Sequence, residues 1–159
     1  MSAIASFIQI PTSALAGIRE AAVPKRGLFG GAKDTFHDVL RKNGREAARY
    51  EWSGNVLATL LPYLEEQGVD LMKSEHVELS DYISEKRQAT CYILTAAEKR
   101  FLPQLRRELF SEAVLRDYFN EFNGTEELNI GEAMIDGIRA FHESLQSLDG
   151  RSVIVLIIG

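Results

Sequence analysis

The residues able to do chemistry are few and scattered. Histidines stand at positions 37, 76 and 142, and Cys91 is the single cysteine. Metal binding needs side chains that converge, usually two at i, i+3 or i+4 on a helix and a third from elsewhere. No two of these histidines have that spacing. Asp34, His37 and Asp38 share one helical turn and could hold a divalent ion weakly; an amphipathic surface helix explains the same pattern. A catalytic thiol needs an exposed, electropositive setting, whereas Cys91 lies in the run Ala-Thr-Cys-Tyr-Ile-Leu, which reads as a buried strand.

The stretch Gly27-Leu28-Phe29-Gly30-Gly31-Ala32-Lys33 invites comparison with a phosphate-binding loop. It departs from one in that Lys33 does not directly follow the last glycine and no Ser or Thr comes next; it is also expected to lie between two helices, whereas a phosphate loop follows a strand. Beside Lys25 and Arg26, the Leu28–Phe29 pair either tucks into the core or is offered to a partner. Lys99, Arg100, Arg106 and Arg107 form a basic edge that could hold an acidic ligand or pair with Glu98 and Glu108. Trp52, with Arg49 and Tyr50 beside it, reads as core packing ahead of a binding platform. No Gly-x-Ser-x-Gly elbow is present, and no carboxylate pair stands out among 23 acidic residues. The sequence therefore recommends no enzyme and calls for no cofactor.

Charge is more informative. The net charge is -5, and residues 65–85 hold seven acids against Lys73. Residues 111–149 hold nine acids against Arg116 and Arg139. A general nucleic-acid binder needs a positive surface to displace counterions, so nucleic acid is not an expected partner. Acidic segments of this kind suit a basic protein partner or serve as solvated helix faces. No apolar run approaches the roughly 20 residues that span a bilayer. The first residues lack the basic and long apolar blocks of a signal peptide, and one cysteine makes no internal disulfide. The expectation is a protein with no membrane contact, located in the cytoplasm.

The elements that must position these residues follow from periodicity. Residues 3–10 read as an inner strand with both faces apolar, followed by a helix over 12–22 capped by Thr12. Residues 24–31 read as a loop, and 34–42 as a short helix placing Phe36, Val39 and Leu40 on one side. A longer helical stretch is predicted over 45–67, broken near Ser53-Gly54, with a buried stripe of Val56, Leu57, Leu60, Leu61 and Leu64. Residues 68–88 are polar and weakly patterned, so they read mostly as loop. A strand over 89–94 passes into a helix opened by the capping box Thr95-Ala96-Ala97-Glu98, with Phe101, Leu102, Leu105 and Leu109 toward the core. Ser111 caps a helix to about 122 that packs Val114, Leu115, Tyr118, Phe119 and Phe122. A last helix over 129–148 carries Met134, Ile138, Phe141, Leu145 and Leu148 on one stripe. Residues 151–158 form a strand apolar on both faces.

Three of these segments carry a resemblance. The start, with a strand over 3–10 and a capped helix, resembles the YfbM-like family of small bacterial proteins. So do Tyr92-Ile93-Leu94-Thr95, a strand passing straight into a helix, and 138–159, a helix followed by a terminal apolar strand ending in Gly. That family often has a Trp followed closely by a Leu-His pair in its central helix. Here Trp52 is followed by Ser53-Gly54-Asn55-Val56-Leu57 with no His, so no role of that His carries over. The resemblance implies fold and bacterial origin, and no activity.

The sequence thus predicts one globular domain over 1–159 of α+β class: a small sheet built from both termini and a middle strand, wrapped by several helices. The expected function is a non-catalytic protein-binding module. Its concrete form is an immunity-type inhibitor that neutralises a basic bacterial toxin domain through an acidic surface. Glu112, Asp117, Glu132, Asp136 and Glu143, on the outer faces of the last two helices, are the expected partner contacts. The alternative is a small-molecule or phosphate-ligand-binding domain, or an enzyme, with its pocket near Lys99 to Arg107.

Overall fold

The computed structural model describes residues 2–159. Its organising element is β6 (Ser152–Ile158), in which every side chain from Val153 to Ile158 is buried. A strand alternates its side chains between two faces, so a run buried at every position requires cover on both sides. Val153, Val155 and Ile157 point into one apolar cluster; Ile154, Leu156 and Ile158 point into another. β6 pairs antiparallel with β1 (Ala5–Pro11) on one side and with β5 (Thr90–Leu94) on the other. With β4 (Arg45–Ala48) outside β1, the sheet order is β4-β1-β6-β5, antiparallel throughout. The α+β class and the sheet drawn from both chain ends and a middle strand are as the sequence predicts.

One face of the sheet is covered by α1 (Leu15–Ala21), α2 (Phe36–Asn43) and α4 (Val77–Arg87), through Leu15, Ile18, Phe36, Leu40 and Ile83. The other is covered by α3 (Gly54–Glu66), α5 (Glu112–Asn123) and α6 (Ile130–Gln146). There the stripe Met134, Ile138, Phe141, Leu145 and Leu148 is wholly buried, as its spacing predicts, and Phe141 meets Phe7 of β1 edge to face at 5.3 Å. Among the described residues no helix is long and apolar enough to cross a membrane.

Several local expectations are corrected. Thr12 caps nothing: it lies in a 3-10 turn, Thr12–Ala14, where its N–H donates to the Arg151 carbonyl at 2.9 Å and ties the chain to the start of β6. The loop at 24–31 is the tip of a hairpin, β2 (Lys25–Arg26) with β3 (Ala32–Lys33), closed by Gly27 N–H donating to Gly31 O. Gly30 takes φ +83° there, a left-handed conformation suited to glycine. Arg45–Ala48, expected to be helical, is edge strand β4, because its backbone pairs with β1. Arg-Glu-Ala-Ala has good helix formers, and tertiary pairing overrides that preference.

Residues 68–88, read mostly as loop, contain the 11-residue helix α4. Only Ser80 and Ile83 of α4 are buried, so its apolar stripe is too thin to register as periodicity. The capping box at Thr95 is present, with Glu98 Oε2 accepting from Thr95 N at 2.6 Å and Oγ1 at 2.7 Å. It opens a 3-10 helix, Ala96–Gln104, that contains Pro103. Leu109, expected in the core, is exposed, as are Val114 and Phe122.

Helix α6 starts hard against the first turn of α5. A Cβ added at Gly131 would run into the Glu112 carbonyl, with Glu112 Cγ at 2.8 Å and the carbonyl carbon at 3.0 Å. At Gly137 an added Cβ meets side-chain ends alone, Leu60 and Leu57 at 2.7 and 2.8 Å and Tyr50 at 3.7 Å. Side-chain ends move more cheaply than backbone, and Gly137 is mid-helix, where alanine gains roughly 1 kcal/mol of helix propensity. Gly131→Ala should therefore lower unfolding stability by roughly 1–3 kcal/mol, clearly more than Gly137→Ala. Urea unfolding of both variants checks this, and a Gly131→Ala protein as stable as the parent would refute the close approach.

Candidate functional site

The five acids expected to face a partner divide into two groups. On α6, Glu132, Asp136 and Glu143 lie four and seven residues apart, which places all three on the solvent stripe opposite the buried one. Glu112 opens α5 beside the start of α6. Asp117 lies on the far side of α5, where Arg116 donates to it from Nε and Nη2 at 3.0 and 2.8 Å. Exposed neighbours of this kind contribute little to stability.

Asp136 is the most constrained of the five. Its carboxylate accepts from Trp52 Nε1 at 2.9 Å and from Arg139 Nη1 at 2.9 Å. A groove of about 340 Å³ runs beside it, lined by Arg49, Glu51, Trp52, Arg139 and Glu143 among others. Tyr50, on its floor, donates its hydroxyl to the Ala133 carbonyl at 3.0 Å, and burial with the nearby Asp136 charge raises its pKa. Trp52 is half-buried and packs against the core while its indole N–H is bound to Asp136. It belongs to both structure and surface.

A feature absent from the expectation lies on the side of α5 facing α3. Val114, Tyr118 and Phe122 recur every fourth residue and form a ridge; Val114 is 53% and Phe122 58% exposed. Tyr118 stacks on Phe122 at 5.9 Å and meets Tyr63 of α3 edge to face at 4.8 Å. Its hydroxyl donates to Glu66 Oε1 at 3.1 Å, and burial, then that bond to an anion, push its pKa up to about 12. Asp117 and Glu121 follow the ridge on its outer side, and Glu66 stands on its α3 side. The signal in the sequence was a surplus: α5 offers five large apolar residues and buries only Leu115 and Phe119.

The other residues with possible chemistry are occupied in ways that spacing alone could not reveal. Asp34 is gripped by Arg87 through two bonds of 3.0 and 2.7 Å and also caps Phe36 N. That pairing, Arg87 foremost, holds its carboxyl below the ordinary range and takes it from the His37–Asp38 set. Among the described residues no group of three or more His, Cys, Asp or Glu is arranged to hold a metal. The Leu28–Phe29 pair is fully exposed at the hairpin tip and not tucked into the core. Of the basic edge, Lys99 donates to the Leu148 carbonyl at 2.7 Å and Arg100 lies over the Phe101 ring. Arg106 and Arg107 instead line a pocket together with Arg139 and His142 of α6.

Cys91 is buried in β5, and burial pushes its thiol up to about 12. Since the thiolate is the reactive form, a disulfide reagent at pH 8 should label native protein far more slowly than urea-unfolded protein. Equal rates would mean that β5 does not seal against α4. No family model, curated protein or solved structure matches the chain.

Proposed function

We propose that the chain is a non-catalytic protein-binding module whose partner presents a basic surface with an apolar anchor. The observation that supports this is the ridge Val114–Tyr118–Phe122, apolar and aromatic at its centre and rimmed by Asp117, Glu121 and Glu66. Protein interfaces concentrate binding energy in aromatic side chains at the centre of a patch, with a polar rim that keeps water out. A negative rim selects a positive partner. Glu132 and Glu143 on α6 extend the same negative field and speed encounter with it, an effect that salt weakens. Asp136 contributes less to recognition on this reading, because Arg139 already offsets its charge and Trp52 occupies its other oxygen.

The concrete form of the proposal is an immunity-type inhibitor: a small protein that blocks a basic toxin domain by covering a site, and so needs no catalytic group of its own. The setting proposed is the bacterial cytoplasm. Kinship with the YfbM-like family belongs to the same proposal and adds no activity to it.

The test is capture of a partner from native extract on immobilised protein, compared with Phe122→Ser and with the pair Asp117→Lys, Glu121→Lys. One stoichiometric protein is expected, retained less as salt rises. Phe122→Ser should weaken its binding by about 2 kcal/mol or more, roughly thirtyfold, and the double charge reversal should slow association. The same partner held equally well by both variants would move the interface off α5.

A further inference from the structure

We infer that the pocket between the turn at Arg107–Leu109 and the outer face of α6 is a binding site for a small oxyanion carrying two or more negative charges, phosphoryl or dicarboxylate. Arg106, Arg107, Arg139 and His142 line it together with Leu105 and a single carboxylate, Glu108, around about 330 Å³. Three arginines thus line one cavity in a chain of net charge -5.

Two of the three are held by contacts that leave donors free. Arg107 spends Nη1 on the Phe110 carbonyl at 3.1 Å. Arg139 spends Nη1 on Asp136, which is itself fixed by Trp52. The Arg106 carbonyl accepts from Leu109 N–H at 3.1 Å, while its guanidinium has no hydrogen-bond or ion-pair partner among the described residues. Glu108, although it lines the same pocket, pairs with none of the three. Gathering like charges costs Coulomb energy, and an anion relieves that cost. A guanidinium presents its donors in a rigid fork that matches carboxylate and phosphate oxygens. Arg107 and Arg139, already held in place, lose less entropy on binding.

The same chain of contacts supplies a reporter. Trp52 is the only tryptophan, and its indole N–H is bound to the carboxylate that anchors Arg139. An anion bound beside Arg139 changes the electrostatic surroundings of that indole through the shared Asp136.

The experiment is a titration of the whole protein with pyrophosphate and, separately, succinate at constant ionic strength, followed by tryptophan fluorescence and by the thermal unfolding midpoint. A saturable fluorescence change with a matching rise in midpoint is expected for at least one of them. Saturation by pyrophosphate identifies a phosphoryl site, and saturation by succinate a dicarboxylate site. Arg106→Ala should weaken that binding roughly tenfold, the worth of a charge-assisted hydrogen bond, while leaving the midpoint without anion unchanged. Lys33→Ala, which removes one positive charge from the hairpin, should bind as the parent does. Saturation by neither anion would overturn the inference, and so would an Arg106→Ala protein that binds as tightly as the parent.

Discussion

Burial of β6 on both faces is the constraint from which the rest of the architecture follows. Six consecutive apolar side chains, Val153 to Ile158, leave water together. At roughly 1.5–3 kcal/mol for each fully buried side chain, that is of the order of 10–20 kcal/mol of gross stabilisation in one strand. Such a strand cannot sit at a sheet edge or on a one-sided sheet without exposing half of it. It must lie inside, between β1 and β5, with helices on both faces. The clusters beneath α1, α2 and α4 and beneath α3, α5 and α6 are two halves of one core divided by the sheet.

The division of labour between the two faces explains where binding features collect. Around α4 the helices use their few apolar residues to cover the sheet. On the other face, α3 and α6 fill the core so fully that α5 needs only Leu115 and Phe119 to close it. Val114 and Phe122 stay at the surface, and Tyr118 is half-buried between them and α3. The bond from Tyr118 to Glu66 and the ring contact with Tyr63 hold that ridge to α3, so it is presented in one arrangement. The outer stripe of α6 is ordered similarly, through Trp52, Asp136 and Arg139. A surface fixed in this way loses little entropy on binding.

What could be read from the sequence was whatever depended on local pattern and strong burial. The stripe of α6, the run of β6, the capping box at Thr95 and the Ser111 cap all declare themselves within a few residues. What could not be read depended on distant partners. β4 looks like helix because only its pairing with β1 makes it strand. α4 looks like loop because it buries little more than Ser80 and Ile83. The site divides the same way: the acids of the last two helices were visible as composition. Spacing could not show that Asp136 is claimed by Trp52, that Val114 and Phe122 stay in solvent, or that Arg139 joins Arg106 and Arg107 across a gap in sequence. Positions at i and i+4 look alike whether a helix turns them inward or outward.

The central functional claim is that a partner seats on the ridge of α5. Hydroxyl-radical footprinting of the protein alone and in complex with its captured partner tests this at the side chains themselves. The account predicts that oxidation of Tyr118 and Phe122 falls in the complex, while Leu28 and Phe29 at the hairpin tip react as before. Protection of Leu28 and Phe29 with Tyr118 and Phe122 unchanged would contradict it, and would assign recognition to the hairpin between α1 and α2.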